Sequence, residues 1–291
     1  MRVDARGLTF EVHAGGPADG EPVLLLHGFP QHSGEWDEVT PALHAAGLRT
    51  YALDQRGYSP GARPAEVEAY RIPEVVADAA AVLDALGVDA AHVVGHDWGA
   101  IVAWGLAAAH PDRVRTLTAV SVPHPAAMAH ALATDTEQKA RSSYMALFRK
   151  PGKAEKVLLA FRAVALRRLL GGIGDAARVA RYADPMRAPG ALTAALYWYR
   201  AMSGKDLAAV GPVSVPTTYV WSDRDTAVGR VAARACAAHV TGDYRPVTLA
   251  GVSHWIPDAA PGPLAGVSHW IPDAAPGPLA EAILARTATA R

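Results

Sequence analysis

Apolar and polar residues alternate with a period of two over Leu8–His13 (LTFEVH), the pattern of a strand with one buried face. Pro22–His27 (PVLLLH) is instead a continuous apolar run, as in strands covered on both sides. Thr50–Asp54 makes a third run. Arg71–Leu86 then switches to helical spacing and stops at Gly87, a residue suited to the left-handed position that ends helices. Ala91–Gly95 is a short buried strand, Ala100–Ala109 a helix and Val114–Val122 a further strand. Strands alternating with helices predict an α/β fold, a mostly parallel sheet with helices on both faces.

Pro123-His124-Pro125 breaks this rhythm. From there to Asp206 only helical spacing is present, punctuated by Pro151-Gly152, Gly171-Gly172, Pro185 and Pro189-Gly190. The strand–helix alternation then returns with Thr217–Trp221, Val228–Val240, Tyr244–Ala250 and Leu279–Thr287. Sheet elements on both sides make residues 123–206 an all-helical cap inserted into a core of 1–122 and 207–291. A separate helical domain is the alternative.

A length of 291 residues suits one large α/β domain with its insert. Within it, residues 250–264 (AGVSHWIPDAAPGPL) recur unchanged as 265–279. One tandem copy is too short and too few for a solenoid, so it reads as a recent duplication or a sequence-assembly fault. The 28 Lys and Arg balance 28 Asp and Glu, so no net field favours nucleic acid or an anionic membrane. The single cysteine, Cys236, excludes a disulfide framework and a cysteine-rich metal site. Neither the apolar core of a signal peptide nor an apolar run of ~18 residues is present. These features predict a soluble, cytoplasmic protein, monomer or homodimer, without nucleic-acid or membrane partners.

Chemistry concentrates in His92–Gly105 (HVVGHDWGAIVAWG). Gly95 and Gly99 flank Asp97 at two residues on either side, between a buried strand and a helix. That is the spacing of a nucleophile elbow, a turn too tight for side chains at its flanks. A carboxylate there is ionised at neutral pH without a base to activate it. It attacks saturated carbon, and the alkyl ester formed can be hydrolysed at its carbonyl, whereas a serine ether could not. Asp97 therefore favours substrates with an electrophilic sp³ carbon, such as epoxides and alkyl halides. Asp is also a favoured helix N-cap, so the residue alone leaves a capping role open.

Asp225, in the segment WSDRDTAV past the strand Thr217–Trp221, and His254, after Tyr244–Ala250, complete the order nucleophile, acid, histidine. Asp223 competes as the acid, and a turn-forming role suits either. His269 is the duplicate of His254. It follows Pro261-Gly262-Pro263-Leu264, which disfavours a preceding central strand, so His254 is preferred. The loop Gly28-Phe29-Pro30 follows a strand and can turn the Phe29 N–H towards the elbow, to form an oxyanion hole with the Trp98 N–H. His96 reads as a buried structural residue. Trp36 lines the pocket or packs under the cap. No metal or other cofactor is expected.

Taken together, His27-Gly28-Phe29-Pro30, Asp54-Gln55-Arg56-Gly57-Tyr58, Gly95-His96-Asp97-Trp98-Gly99 and the late Asp225 and His254 resemble the α/β-hydrolase superfamily. More narrowly they resemble its epoxide-hydrolase and dehalogenase branch. The resemblance implies an α/β-hydrolase fold, attack by Asp97, ester hydrolysis by the Asp225/His254 pair, and cap residues that hold the leaving group. Tyr144 lies seven residues before Pro151-Gly152 and Tyr199 lies within Trp198-Tyr199-Arg200. By similarity these would be the pair of acidic donors that an opening epoxide needs. Fluoroacetate dehalogenases usually have His-Trp at Tyr144-Met145, and haloalkane dehalogenases often have Asn at Phe29. The implied partners are a small apolar epoxide and water, with Trp36 and Pro30 in the substrate pocket. A dehalogenase using the same Asp97, and a non-catalytic relative disabled by the duplication, are the alternatives.

Overall fold

The continuous apolar runs become interior strands, because only a strand covered on both faces can bury consecutive residues. The strands are Arg2–Ala5 (β1), Leu8–Gly15 (β2), Glu21–Leu26 (β3), Leu48–Asp54 (β4), Ala91–His96 (β5), Val114–Val120 (β6), Thr217–Arg224 (β7) and Tyr244–Ser253 (β8). In this computed structural model, which describes residues 1–170, 176–253 and 276–290, they form one eight-stranded sheet ordered β1-β2-β4-β3-β5-β6-β7-β8. β1 and β2 pair antiparallel, as do β2 and β4, and every other pairing is parallel.

The pleat of β3 divides the core. Leu24 and Leu26 face one hydrophobic cluster, and Val23 and Leu25 face the other. Helices Ile72–Ala85 (α2) and Trp98–Ala109 (α3) supply the first cluster. Helix Thr40–Ala45 (α1) and the last helix, Pro276–Thr287, supply the second through Leu43, Leu279 and Ile283. That last helix is firmly seated. Buried Arg286 donates to Thr218 Oγ1, to the Thr217 carbonyl and to Asp243, at 2.8, 2.9 and 2.6 Å.

Several elements differ from the sequence pattern. β1 and α1 carry too few residues to show a period and were not anticipated. β8 runs on to Ser253, into the first duplicated copy. The last helix starts at Pro276 rather than Leu279, because proline is tolerated in a first turn whose N–H groups lack helical partners.

Between β6 and β7 the described chain is helical, from Pro125–Thr134 (α4), Thr136–Arg141 (α5) and Met145–Phe148 (α6) through Lys153–Leu169 (α7), Ala176–Ala183 (α8) and Ala191–Ala201 (α9) to Gly204–Ala208 (α10). Asp54-Gln55-Arg56-Gly57-Tyr58 seats this insert. Buried Arg56 makes a forked pair with buried Asp78 of α2, both bonds at 2.6 Å, and its carbonyl accepts the Trp198 indole N–H at 2.9 Å. Gly57 has φ +90°, and a Cβ there would meet the Ala194 carbonyl oxygen of α9 at 3.1 Å. Among the described residues no helix is long and apolar enough to cross a membrane.

Removing one partner of a buried ion pair strands the other charge without compensation. Asp78→Ala is therefore expected to cost about 3–5 kcal/mol, read as a lowered urea midpoint. An unchanged midpoint would contradict this account of how the insert is held.

Candidate active site

Asp97 follows β5 and stands at the N-cap of α3 with φ +51° and ψ −117°, a conformation that costs an L-residue energy and persists only when its surroundings impose it. The surroundings are backbone. A Cβ on Gly99 would lie 2.0 Å from the Leu26 carbonyl oxygen, and one on Gly95 would lie 2.2 Å from that of Gly99. A Cβ on Gly28 would lie 2.5 Å from the Asp97 Cβ. The glycines of the elbow and of the loop after β3 are thus steric requirements. Asp97 holds the N-cap position but its side chain makes no capping bond to the helix, which leaves the carboxylate displayed.

With Gly28 allowing that approach, the Phe29 N–H donates to Asp97 Oδ1 at 2.9 Å. Trp98 is the first residue of α3, so its N–H has no acceptor within the helix and lies at the positive end of the helix dipole. The loop carrying Phe29 is held from behind by Glu35, which was not singled out from sequence. Its Oε2 accepts the Gly28 N–H at 3.0 Å and its Oε1 pairs with His96 Nδ1. Glu35 and His96 are both wholly buried, which is the structural role expected for His96. A lone glutamate in the single 3-10 turn Ser33–Trp36 gave no periodic signal by which to find it.

A small cavity of about 40 Å³ opens above Asp97, with Trp98, Ile101 and Val122 from the core and Tyr144, Met145 and Tyr199 from the cap in its wall. Tyr144 precedes α6 and Tyr199 lies in α9, and two arginines tie these helices together. Arg149 donates to the Tyr199 carbonyl at 3.1 Å, while Arg200 donates to the Phe148 carbonyl at 3.2 Å and to Glu155 at 2.9 Å. The phenol rings lie 6.2 Å apart, and the Tyr199 ring packs edge-on against the Trp98 ring at 5.0 Å between centroids. Burial, then the Asp97 and Asp225 charges, push the Tyr144 phenol up. Burial, then Tyr144 and Asp97, push up that of Tyr199. Both therefore stay protonated at neutral pH.

Asp225 follows β7 directly and is buried. Its Oδ1 accepts the Ala227 and Val228 N–H groups at 2.7 and 2.8 Å, so it forms the turn that carries it beside the cavity. Asp223 lies within β7 itself. β7 and β8 stay paired up to Arg224 and Ser253, the residues immediately before Asp225 and His254. His254 and His269 lie outside the described residues. Trp36 is wholly buried in the cluster with Val23, Leu25 and Leu43, and belongs to the core rather than to the cavity wall. Pro30 is buried behind Phe29 and, among the described residues, is likewise not part of that wall.

In comparison with known proteins, residues 21–261 match the family described as the alpha/beta hydrolase fold. The AB hydrolase superfamily protein YfhM of Bacillus subtilis is 34% identical over 260 residues, 87% of this chain and 91% of its own. Epoxide hydrolase A of Mycobacterium tuberculosis is 32% identical over 87% of this chain and 91% of that protein. Among solved structures, epoxide hydrolase A from Mycobacterium thermoresistibile has a TM-score of 0.81 at 26% identity, covering 98% of this chain and 96% of that one. A mutant epoxide hydrolase from Bacillus megaterium, complexed with its product, reaches 0.83 at 24% identity over 99% and 100% of the chains, a likeness of fold.

Two buried histidines tie this site to pH. His27 Nε2 accepts the Gln55 N–H at 3.2 Å, so its proton sits on Nδ1, 3.0 Å from the Gly28 carbonyl oxygen. His124 stands where the chain enters the cap, with Nδ1 accepting the Ala126 N–H and Nε2 at 3.0 Å from the Gly211 carbonyl oxygen. Burial above all lowers each to about 4. Unfolded histidines titrate near ~6.5, so between that pH and 4 the unfolded chain binds more protons. Stability from both residues is full above about pH 6.5 and is lost as the pH falls towards 4. Urea midpoints should fall over that interval, and a flat profile there would contradict the neutral assignment.

Proposed function

The chain belongs to the alpha/beta hydrolase family, and on that premise we propose that it hydrolyses epoxides to vicinal diols through an ester on Asp97. The observation that carries this reading is two neighbouring, protonated phenols in the wall of the cavity above an elbow carboxylate. Opening an epoxide by displacement forms a C–O bond to the attacking carboxylate and breaks one to the ring oxygen. The departing alkoxide is a stronger base than phenolate and takes its proton from the Tyr144 and Tyr199 pair. Because Asp97 Oδ1 already accepts from Phe29, attack proceeds through Oδ2 and leaves Oδ1 as the ester carbonyl oxygen.

In the second half, His254, oriented by Asp225, removes a proton from water, and the hydroxide adds to the ester carbonyl carbon. Charge then develops on Oδ1, where the N–H groups of Phe29 and Trp98 stabilise it. Collapse expels the diol and restores the carboxylate, and the proton held by His254 returns through solvent to the phenolate. The end of β7–β8 pairing at Arg224 and Ser253 supports His254 over His269 as the base, since β8 leads straight into the first copy. The well-seated last helix supports a working enzyme despite the duplication. Names of the relatives, epoxide hydrolase A among them, point the same way. The dehalogenase reading is less well supported, because a halide needs N–H donors whereas the polar cap side chains in the cavity wall are the phenols of Tyr144 and Tyr199.

With styrene oxide, Asp97→Ala should abolish diol formation. Tyr144→Phe and Tyr199→Phe should each lower kcat about a hundredfold, within the range of lost general-acid catalysis. His254→Gln should accumulate an alkylated enzyme, visible as an added mass equal to the substrate. Normal turnover by His254→Gln with loss in His269→Gln would assign the base to the second copy. Halide release from chloroalkanes without diol formation would instead favour the dehalogenase reading.

A further inference from the structure

A second cavity lies against the wall of the one above Asp97. Leu132, Met145, Met202 and Leu207 line both the small cavity above Asp97 and a larger one of about 370 Å³ outside it. The helical period explains this sharing. Met128 and Leu132 of α4, four apart, face inwards, while Ala129 and Leu132, three apart, face the outer space. Likewise Tyr144 and Met145 face inwards, and Ala146 and Arg149, the latter one turn beyond Met145, line the outer cavity. Two of the four shared residues are methionines, unbranched side chains that shift to admit a ligand at small cost. The inner space, about 40 Å³, has room for little beyond a reacting end, so the remainder of any longer substrate lies in the outer one.

The chemistry of that outer cavity is one-sided. Its titratable lining residues are Lys139 and Arg149, both exposed, with Ser142 and Ser143 beside them and no carboxylate. Among the described residues neither cation has an ion-pair partner within 4 Å, and Arg149 spends only its Nε, on the Tyr199 carbonyl. They belong to a wider asymmetry. Residues 139–168 hold nine lysines and arginines against one acid, Glu155, although the whole chain is neutral. Glu155 is in turn held by Arg200 at 2.9 Å. Of the cations in that stretch only Lys139 and Arg149 line the outer cavity, while the acidic residue lining the inner one is Asp97.

We propose that the outer cavity is a subsite for a carboxylate, and that the chain acts on epoxides carrying an anionic group at the end remote from the ring. This rests on the epoxide-hydrolase reading above and refines its substrate class. A carboxylate cannot enter the inner cavity, where it would lose its hydration among apolar side chains and meet the like charge of Asp97. At the entrance it meets Lys139 and Arg149 and stays partly in water. The field thus orients such a substrate with its ring towards Asp97 and its charge outwards.

The test compares 4-(glycidyloxy)benzoate with 4-(glycidyloxy)benzamide, a neutral molecule of nearly the same shape, and uses phenyl glycidyl ether as the plain epoxide. At low salt the benzoate should have the higher kcat/KM by about fivefold, the scale of one or two exposed charge pairs, expressed mainly in KM. Lys139→Glu should remove or invert that ratio, and ~0.5 M NaCl should shrink it in the unmodified enzyme. Because each quantity is a ratio within one protein sample, a partly misfolded variant does not mimic the result. Equal rates for benzoate and benzamide at low salt, or a ratio unmoved by both salt and Lys139→Glu, would overturn the carboxylate subsite while leaving epoxide hydrolysis intact. Failure to hydrolyse any of the three epoxides would overturn the epoxide-hydrolase reading, and the subsite with it.

Discussion

Everything at this site depends on the contact between two turns of backbone, the elbow at Asp97 and the loop at Gly28-Phe29. A Cβ on Gly99 or Gly28 would meet the Leu26 carbonyl oxygen at 2.0 Å or the Asp97 Cβ at 2.5 Å. Their absence lets a carboxylate in a strained conformation reach a backbone N–H at 2.9 Å. Packing makes the strain tolerable. β5 is buried along its whole length between β3 and β6, and α3 is buried over most of its own, so the turn between them has nowhere to relax. The buried Glu35–His96 pair then fixes the loop from behind. In such a frame the carboxylate is pre-aimed and its partner donors are already oriented, which is what electrostatic preorganisation requires.

The second constraint joins core and cap. A helical insert could sit over the sheet in many ways, but the Trp198 indole bond to the Arg56 carbonyl fixes α9 on the core, and Arg149 and Arg200 fix α6 against α9 through bonds to the Tyr199 and Phe148 carbonyls. Because those carbonyls lie next to Tyr199 and within the core loop, the same bonds that hold the cap also set where its phenols stand. Stability and chemistry are therefore coupled here, and a loss at Arg56 or Arg149 reaches the site through position rather than through contact with substrate.

Much of this was legible beforehand. The apolar runs gave the interior strands because strands buried on both faces must be apolar throughout, and the Gly-x-Asp-x-Gly spacing gave the elbow because its sterics admit only small flanks. Asp225 was legible for the same reason, lying just past a strand end. What escaped notice carries no local period. Glu35 acts across the fold on Gly28 and His96, partners that no spacing reveals. Trp36 was expected in the pocket, yet its neighbours in space are Val23, Leu25 and Leu43, on the far side of the sheet from the cap. The neutral total charge was equally uninformative, since it sums a basic entrance with acids elsewhere. The proposed base, His254, lies in the duplicated stretch outside the described residues, and the case for it stands on the strand that leads into it.

The central claim is that the carboxylate of Asp97 itself becomes bonded to substrate carbon. Single turnover in oxygen-18 water tests it most directly, with enzyme in excess over epoxide and the peptide containing Asp97 analysed by mass spectrometry. Hydrolysis through an Asp97 ester predicts unlabelled diol in the first turnover and one heavy oxygen in the Asp97 carboxylate. Labelled diol in that first turnover, with Asp97 unchanged in mass, would mean that water attacks the epoxide directly, and would contradict the account.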